Sequence, residues 1–407
     1  MNKRDLFTEV AKIVGKKKAA EEANSNVLDR AKKKGKVFRS IVALGAIITV
    51  FNFSALAFAA SVPKAAEWEK TVAAAKKEGQ VVIMGPAGED MRDAYTEGFQ
   101  KKYPGIRVEY SGMASALIAT KLLTELSAGV YRNDLVFAGT ITARSSLIPA
   151  NALIPLQPYL VGPEIQNLTK WKGGKFEFSD DSEKYNLVFG NRITVAFFYN
   201  RDMVSPGKIK SWKDFLNPEW KGKIAMLNPA RVGTGQVLTT FWYAKESQGL
   251  GKKFIRQFFT KQNVLISNDE AQLLDFLARG RYPIVIGPSG TLAFEMKNKG
   301  LPIELYRSTA LQEGGLITAS NATLMVPRNT PHPNALKVYL DYILSREGQY
   351  AWSKATGLTS RRRDVPTDHI PEVFVPKEGA TYLADYKDPF VSLRDEAVEY
   401  VNSVLAH

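Results

Sequence analysis

Ser-Trp-Lys-Asp-Phe-Leu-Asn-Pro-Glu-Trp-Lys-Gly-Lys-Ile-Ala-Met-Leu, residues 211–227, runs without a break into Asn-Pro-Ala-Arg-Val-Gly-Thr-Gly-Gln-Val, residues 228–237. The first part reads as a helix-like turn followed by an apolar strand, and the second as a glycine-rich loop that opens the helix LTTFWYAK. Strand, glycine loop and helix in that order suggest an anion cradle. Glycines let backbone N–H groups converge on a negative charge, which the positive end of a helix dipole also favours. A Walker loop would need G-x-x-x-x-G-K-[ST], and a dinucleotide fingerprint would need a third glycine with an acidic residue about 20 positions on. Neither occurs here. The loop is therefore either a helix N-terminus suited to some other anion or one whose glycines only make a tight turn, and the surrounding chain must decide between them.

Helices and wholly apolar strands alternate upstream of the loop. Trp68 to Gln80 reads as an amphipathic helix closed by a glycine, and VVIMG (81–85) as a short strand. Residues 89–103 read as helix, IRVEYSG as strand, SALIATKLLTELSAG as helix and DLVFAG as strand. This pattern predicts an α/β fold with a mostly parallel sheet covered on both faces, and in such sheets ligands sit beyond the carboxyl ends of the strands. Those ends are Gly85-Pro86-Ala87-Gly88 and Gly139-Thr140. Downstream, residues 250–262 and 268–280 read as helices, and YPIVIGPSG (282–290) as a strand running into a glycine turn. A second αβ unit thus spans about 200–315. Two long β-prone runs, ITVAFFYN (193–200) and TASNATLMVP (318–327), flank it, and residues 333–355 read as the longest amphipathic helix.

At 407 residues, with 45% hydrophobic and 24% charged residues, the chain is long enough for two domains with ordinary globular cores. Its formal charge of +14 would point to nucleic acid or an anionic membrane if it were spread evenly. It is not, because residues 1–59 hold twelve Lys/Arg against five Asp/Glu, half of the whole excess. That segment is expected to be a signal peptide. KKKGKVFRS precedes the apolar run IVALGAIITVFNFSALAFAA, and Ala57-Phe58-Ala59 has the A-x-A form of a cleavage site, with the cut after Ala59. An uncleaved anchor helix is the alternative, since the run approaches the roughly 20 residues that span a bilayer. The absence of cysteine removes disulfides, thiolate metal ligands, cysteine nucleophiles and a lipid-modified cysteine anchor. A free periplasmic location is expected.

Several stretches, in order, resemble type 2 periplasmic solute-binding proteins of ABC importers, in the branch of ferric-ion, putrescine and thiamine binders. They are VVIMGPAG, YPGIRVEYSGM, NRITVAFFYNRDMV, SWKDFLNPEWKGKIAMLNP and NATLMVPRNTPHPNALKVYLDYILSREGQ, covering about residues 68–365. The resemblance implies two αβ lobes joined by two crossover strands, taken as the runs near 193–200 and 318–327, with the ligand in the cleft between lobes. The expected division is residues 60–195 with 322–355 for the first lobe and 196–321 with 356–407 for the second. Ferric binders of this group hold the ion with adjacent tyrosines after the strand that here is YPIVIG. This chain has Pro288-Ser289-Gly290 at that place, and its histidines, His332, His369 and His407, all lie downstream. Direct coordination of the hard ferric ion is not expected, and binding of an iron chelate stays an alternative.

The expected ligand residues are Pro86, Ala87, Gly88, Gly139, Thr140, Arg192, Arg231, Gly233, Thr234, Gly235, Pro288 and Ser289. Their backbone amides, hydroxyls and two guanidinium groups are donors, and such a set suits a carboxylate, phosphate or phosphonate. No cofactor, metal or catalytic residue is expected. The partners expected are a small solute and a membrane permease, without nucleic acid, and the chain is expected to be a monomer. A receptor reporting solute occupancy to a membrane sensor would share the fold and cleft. An exported hydrolase is disfavoured by the lack of a G-x-S-x-G elbow. Tyr199, Trp212 and Trp220 are read as packing residues, Arg361-Arg362-Arg363 as a solvated face and Asp180-Asp181-Ser182-Glu183 as a surface turn.

Overall fold

A strand as uniformly apolar as VVIMG has no face to offer water, so it has to be covered on both sides. It forms the core of β1 (Gln80–Gly85), where Val81, Ile83 and Met84 are fully buried. The computed structural model describes residues 65–406. Helix α1 (Ala65–Glu78) precedes β1, and α2 (Glu89–Lys102), β2 (Arg107–Gly112), α3 (Ser115–Ser127) and β3 (Leu135–Phe137) follow it. Both β2 and β3 pair with β1 in parallel, with Ile83 opposite Tyr110 and Leu135. The short strands β4 (Leu153–Ile154), β5 (Glu177–Phe178) and β6 (Leu187–Val188) complete the outbound part of the first lobe.

The chain then leaves through β7 (Gly190–Ile193) and enters the second lobe at β8 (Phe197–Asn200). Next comes the stretch that opened the sequence. Ser211 caps the short helix Trp212–Leu216 by accepting the Lys213 N–H at 3.1 Å, and Asp214 closes the capping box by accepting the Ser211 N–H at 2.9 Å. Trp212 is buried with its ring 4.9 Å from that of Trp242, and Trp220 packs partly buried against the same core. Strand β9 (Ile224–Leu227) follows, then α4 (Thr234–Ala244), α5 (Gly251–Lys261), β10 (Leu265–Ser267), α6 (Glu270–Ala278), β11 (Ile284–Ile286), α7 (Gly290–Asn298) and β12 (Ile303–Tyr306). The second sheet has the order β10-β9-β11-β8-β12, with β9 parallel to both neighbours and β8 antiparallel to both of its own.

Strand β13 (Gly315–Thr318) carries the chain back, and β14 (Thr323–Pro327) inserts antiparallel between β3 and β6 in the first sheet. That sheet therefore runs β2-β1-β3-β14-β6-β5, with β4 also on β14. Helices α8 (Pro333–Ile343) and α9 (Arg346–Thr356) cover it, and β15 (Thr359–Ser360), β16 (Tyr382–Ala384) and α10 (Phe390–Leu405) end the described chain. Between the lobes stands a four-stranded hinge sheet, β15-β7-β13-β16. Among the described residues no helix is long and apolar enough to cross a membrane. The expected signal peptide lies outside the described residues.

The sheets are mixed and not mostly parallel as expected, since β14 runs antiparallel to β3 and β6 and β8 antiparallel to β11 and β12, and three further expectations need correction. The crossover strands are not ITVAFFYN and TASNATLMVP but their flanks, β7 and β13, paired with Ile193 opposite Ile317 and Arg192 opposite Thr318. Each β-prone run is divided. The Thr194 N–H donates to Leu316 in the hinge, whereas the Ala196 N–H donates to Tyr306 in the second sheet, so the chain changes sheets at Val195. At the other run the turn falls at Ser320, which has a left-handed φ of 49°. Residues 333–355 are two helices instead of one, because the Ser345 hydroxyl accepts the Gly348 N–H at 3.1 Å and starts α9 afresh. The third correction concerns Arg361-Arg362-Arg363. Arg362 is fully buried and bidentate to Asp364 at 2.9 and 2.8 Å. The acidic turn stays a turn: Asp180 accepts the N–H groups of Lys184, Tyr185 and Asn186.

Candidate functional site

Because β9 and β11 are parallel neighbours, with Met226 opposite Ile286, the loops after them emerge side by side. In the first loop the three residues Gly233-Thr234-Gly235 have separate tasks. Gly233 adopts φ 152°, which lets the chain turn into α4, and no side chain caps that helix. Gly235 allows contact between backbones, since a Cβ there would lie 2.2 Å from the Leu227 carbonyl oxygen. Thr234, between them, faces a cavity. In the second loop Pro288 is buried, and Ser289 caps α7 by accepting the Leu292 N–H at 3.4 Å. The uncapped N-terminus is thus that of α4, where donors and dipole favour an anion.

The cavity holds about 140 Å³ and is lined by Thr234, Pro288 and Ser289 from these loops, and by Arg192, Thr318 and Asp385 from the hinge sheet and its margin. Phe374, Val195 and Val237 supply apolar wall. The space opens to solvent on one side, and its inner part suits a compact charged group of a solute.

Arg192 is the cation of this cavity. Its Nη1 donates to Thr291 Oγ1 at 3.1 Å, and its guanidinium lies 5.6 Å from the Phe374 ring centre. No carboxylate lies within ion-pair distance of it among the described residues, and burial pushes the guanidinium below its usual range. Two carboxylates also line the space, and both are engaged. Glu270 accepts the Ser289 N–H at 2.9 Å. Asp385 is pushed up to about 6, chiefly by burial, while a hydrogen bond from Thr318, the charge of Arg394 and a hydrogen bond from the Ala319 backbone hold it down.

Of the sequence-derived residues, the cavity brings together Arg192, Thr234, Pro288 and Ser289, with Gly233 and Gly235 shaping the helix entry. Arg231 is exposed beside Val232, outside the cavity lining. The first-lobe residues do not line it either. Pro86 is buried, its carbonyl accepting the Tyr110 hydroxyl at 2.6 Å, while Ala87 and Gly88 are exposed at the uncapped start of α2. The Gly139 amide donates to Ser115 Oγ at 3.2 Å, and Thr140 is buried. Sequence reasoning missed Thr318, Phe374, Asp385 and Glu270. Phe374 and Asp385 come from a C-terminal segment that passes beside the hinge and carries no motif.

The two described histidines stand apart from the cavity. His332 is tied to Asp134, with Nδ1 2.8 Å from Oδ2, and His369 lies 3.0 Å from Ser353 Oγ; neither lines the cavity. Ser353 is fully buried and its hydroxyl donates to the Leu358 carbonyl at 2.6 Å, so it is not presented as a nucleophile. Among the described residues, no group of three or more His, Asp or Glu could hold a metal ion.

The family model for bacterial extracellular solute-binding proteins matches residues 94–376. A Haemophilus influenzae protein, itself uncharacterized, is 24% identical over 296 residues, which is 70% of this chain and 78% of that one. The fold is similar to an extracellular solute-binding protein from Bordetella parapertussis (TM-score 0.61, 16% identity, 81% of this chain and 99% of that one). It is also similar to Trichodesmium IdiA (FutA), solved with iron and citrate ligands (0.58, 18%, 80% and 99%). A third similar fold is that of AfuA from Actinobacillus pleuropneumoniae, solved with fructose-6-phosphate bound (0.54, 18%, 81% and 98%).

Proposed function

The chain belongs to the bacterial extracellular solute-binding protein family, and on that premise we propose that it is the periplasmic receptor of an ABC importer, capturing a small organic anion such as a carboxylate or phosphonate. The observation that carries the choice of an anion is Arg192, a half-buried cation lining the cavity without a carboxylate partner among the described residues. An anionic group in the cavity would supply that partner, and Thr234, Ser289 and the open N-terminus of α4 would complete its hydrogen bonds. Asp385 and Glu270 favour a solute that also carries donors, such as hydroxyl or amino groups, on its other side. The loops Pro86–Gly88 and Gly139–Thr140, with Arg231, are assigned to the walls that approach the solute on closure.

The lobes are assigned as residues 60–195 with 322–355 and 196–321 with 356–407, save that 356–363 stay on the first lobe, where Leu358 joins the core and Arg362 donates to Leu344. The receptor works as a monomer, without nucleic acid and without catalysing a reaction, after a signal peptide is cut behind Ala59. Ferric chelates are the second reading, because the similar Trichodesmium protein was solved with iron and citrate. The Pro288-Ser289-Gly290 sequence, where adjacent tyrosines would be needed, ranks it below a simple anion.

Thermal shift against a panel of organic anions, phosphonates, polyamines and ferric salts tests this. A solute at 100 times its Kd adds about 2.7 kcal/mol of stability, enough to raise the melting temperature by several degrees. Replacing Arg192 by alanine should weaken the anion that binds by roughly 10- to 100-fold, the range for a charge-assisted contact. Stabilisation by cations alone would overturn the anion assignment.

A further inference from the structure

The run Arg361-Arg362-Arg363 is divided by the fold. Residues 170–172 lie antiparallel to 361–363: the Lys172 N–H donates to Arg361 at 2.9 Å, the Arg363 N–H donates to Lys170 at 2.7 Å, and Trp171 stands opposite Arg362. Alternation along an extended pair sends the middle residues to one side and the outer ones to the other. Trp171 and Arg362 accordingly go inward, where Arg362 also donates to the carbonyls of Leu344 (2.9 Å) and Glu164 (3.2 Å). Lys172, Arg361 and Arg363 emerge together and line a cavity of about 530 Å³.

The hinge sheet closes that cavity with Asn191, Ile317 and Tyr382. In β7 and β13 these residues alternate with Arg192 and Thr318, which line the cavity described above, so the two spaces lie on opposite faces of one sheet. The rear space falls within the roughly 300–1,000 Å³ of small-molecule sites.

Its charge is not balanced. Arg361 pairs with Glu177 at 2.5 Å, but Glu177 also faces Lys387 at 3.7 Å. Lys377 reaches Glu372 at 3.3 Å, and Arg307 already holds that carboxylate at 3.0 Å. Among the described residues Arg363 pairs only with the exposed Glu378, at 3.2 Å. Lys172 has no carboxylate within ion-pair distance among the described residues, and the Nε of Arg361 is buried without an acceptor. Burial, with Arg361 next, pushes the Lys172 ammonium below its usual range.

We propose that this rear cavity is a second binding site, for a small polyanion bearing a phosphate or at least two carboxylates, held by Lys172, Arg361 and Arg363. Trp171 belongs to the core of the first lobe, whereas Lys377 and Tyr382 sit on the segment paired with β13. A bound polyanion would therefore join the first lobe to the hinge.

Titration calorimetry of the purified exported chain with inorganic phosphate and, separately, with succinate tests the assignment and distinguishes the two chemistries. Millimolar or tighter binding of either probe is expected, retained in Arg192→Ala and weakened about tenfold or more in Lys172→Gln/Arg363→Gln. Melting curves without anion check that the double variant is folded, and Arg363→Gln alone, a change at an exposed side chain, serves if it is not. Absence of binding by the wild type, unchanged affinity in the folded variant, or loss of the same binding in Arg192→Ala overturns the proposal. The last of these would move the anion to the front cavity and leave the receptor reading untouched.

Discussion

Asp385 sets a pH dependence that a solvent-facing carboxylate would not. Burial raises it from 3.8 to about 6, so between these values the folded protein binds a proton that the unfolded chain has released. Its contribution to stability therefore falls as pH rises through this window, and the cost stays in place above about 6. Asp385→Asn removes the cost. The variant should be more stable than the wild type at pH 7.5 by ~1–3 kcal/mol, with the gap closing near pH 4. Denaturant unfolding at both pH values measures this, and a less stable variant at pH 7.5 would contradict the burial argument. At this scale the site was partly legible in the sequence. Arg192, Thr234, Pro288 and Ser289 follow or border apolar strands whose ends had to converge. Asp385 and Phe374 enter through tertiary packing of a segment without periodicity, so no local pattern announced them.

The strand-loop-helix element that begins at Ile224 rests on a backbone contact. Where α4 crosses Leu227, Gly235 lies against Gly287, whose own added Cβ would sit 3.2 Å from the Gly235 Cα. Gly235→Ala places a methyl group against the Leu227 carbonyl and should lower stability by roughly 1–3 kcal/mol, as overpacking does, while also tilting Thr234 away from the solute. Thermal melts with and without the anion check both effects; a melting temperature equal to the wild type's would show that the crossing is looser than its geometry. The elements themselves were legible because burial on both faces leaves unbroken apolar runs, whereas the caps at Ser211, Asp214 and Asn217 emerged only in the structure. What periodicity missed were changes of partner. ITVAFFYN is uniformly β-prone, yet its amides serve two sheets, and the helix pattern of 333–355 continues smoothly across a cap at Ser345.

For the molecule as a whole, capture of a solute depends on the difference in affinity between open and closed lobes. The radius of gyration from small-angle scattering should fall when the stabilising anion is added. Binding with no such change would mean that the cavity fills without closure. The chain passes the hinge by β7, by β13, and again in the stretch between α9 and α10, where β15 and β16 widen the sheet to four strands. The third passage has a mechanical consequence. Helix α1 packs on α8 of the first lobe, while α10 packs on α4 and α5 of the second. The two ends of the described chain are therefore attached to opposite jaws, and tension applied between them would act against capture. A single molecule held by its ends would register each arriving solute as added resistance to being pulled apart.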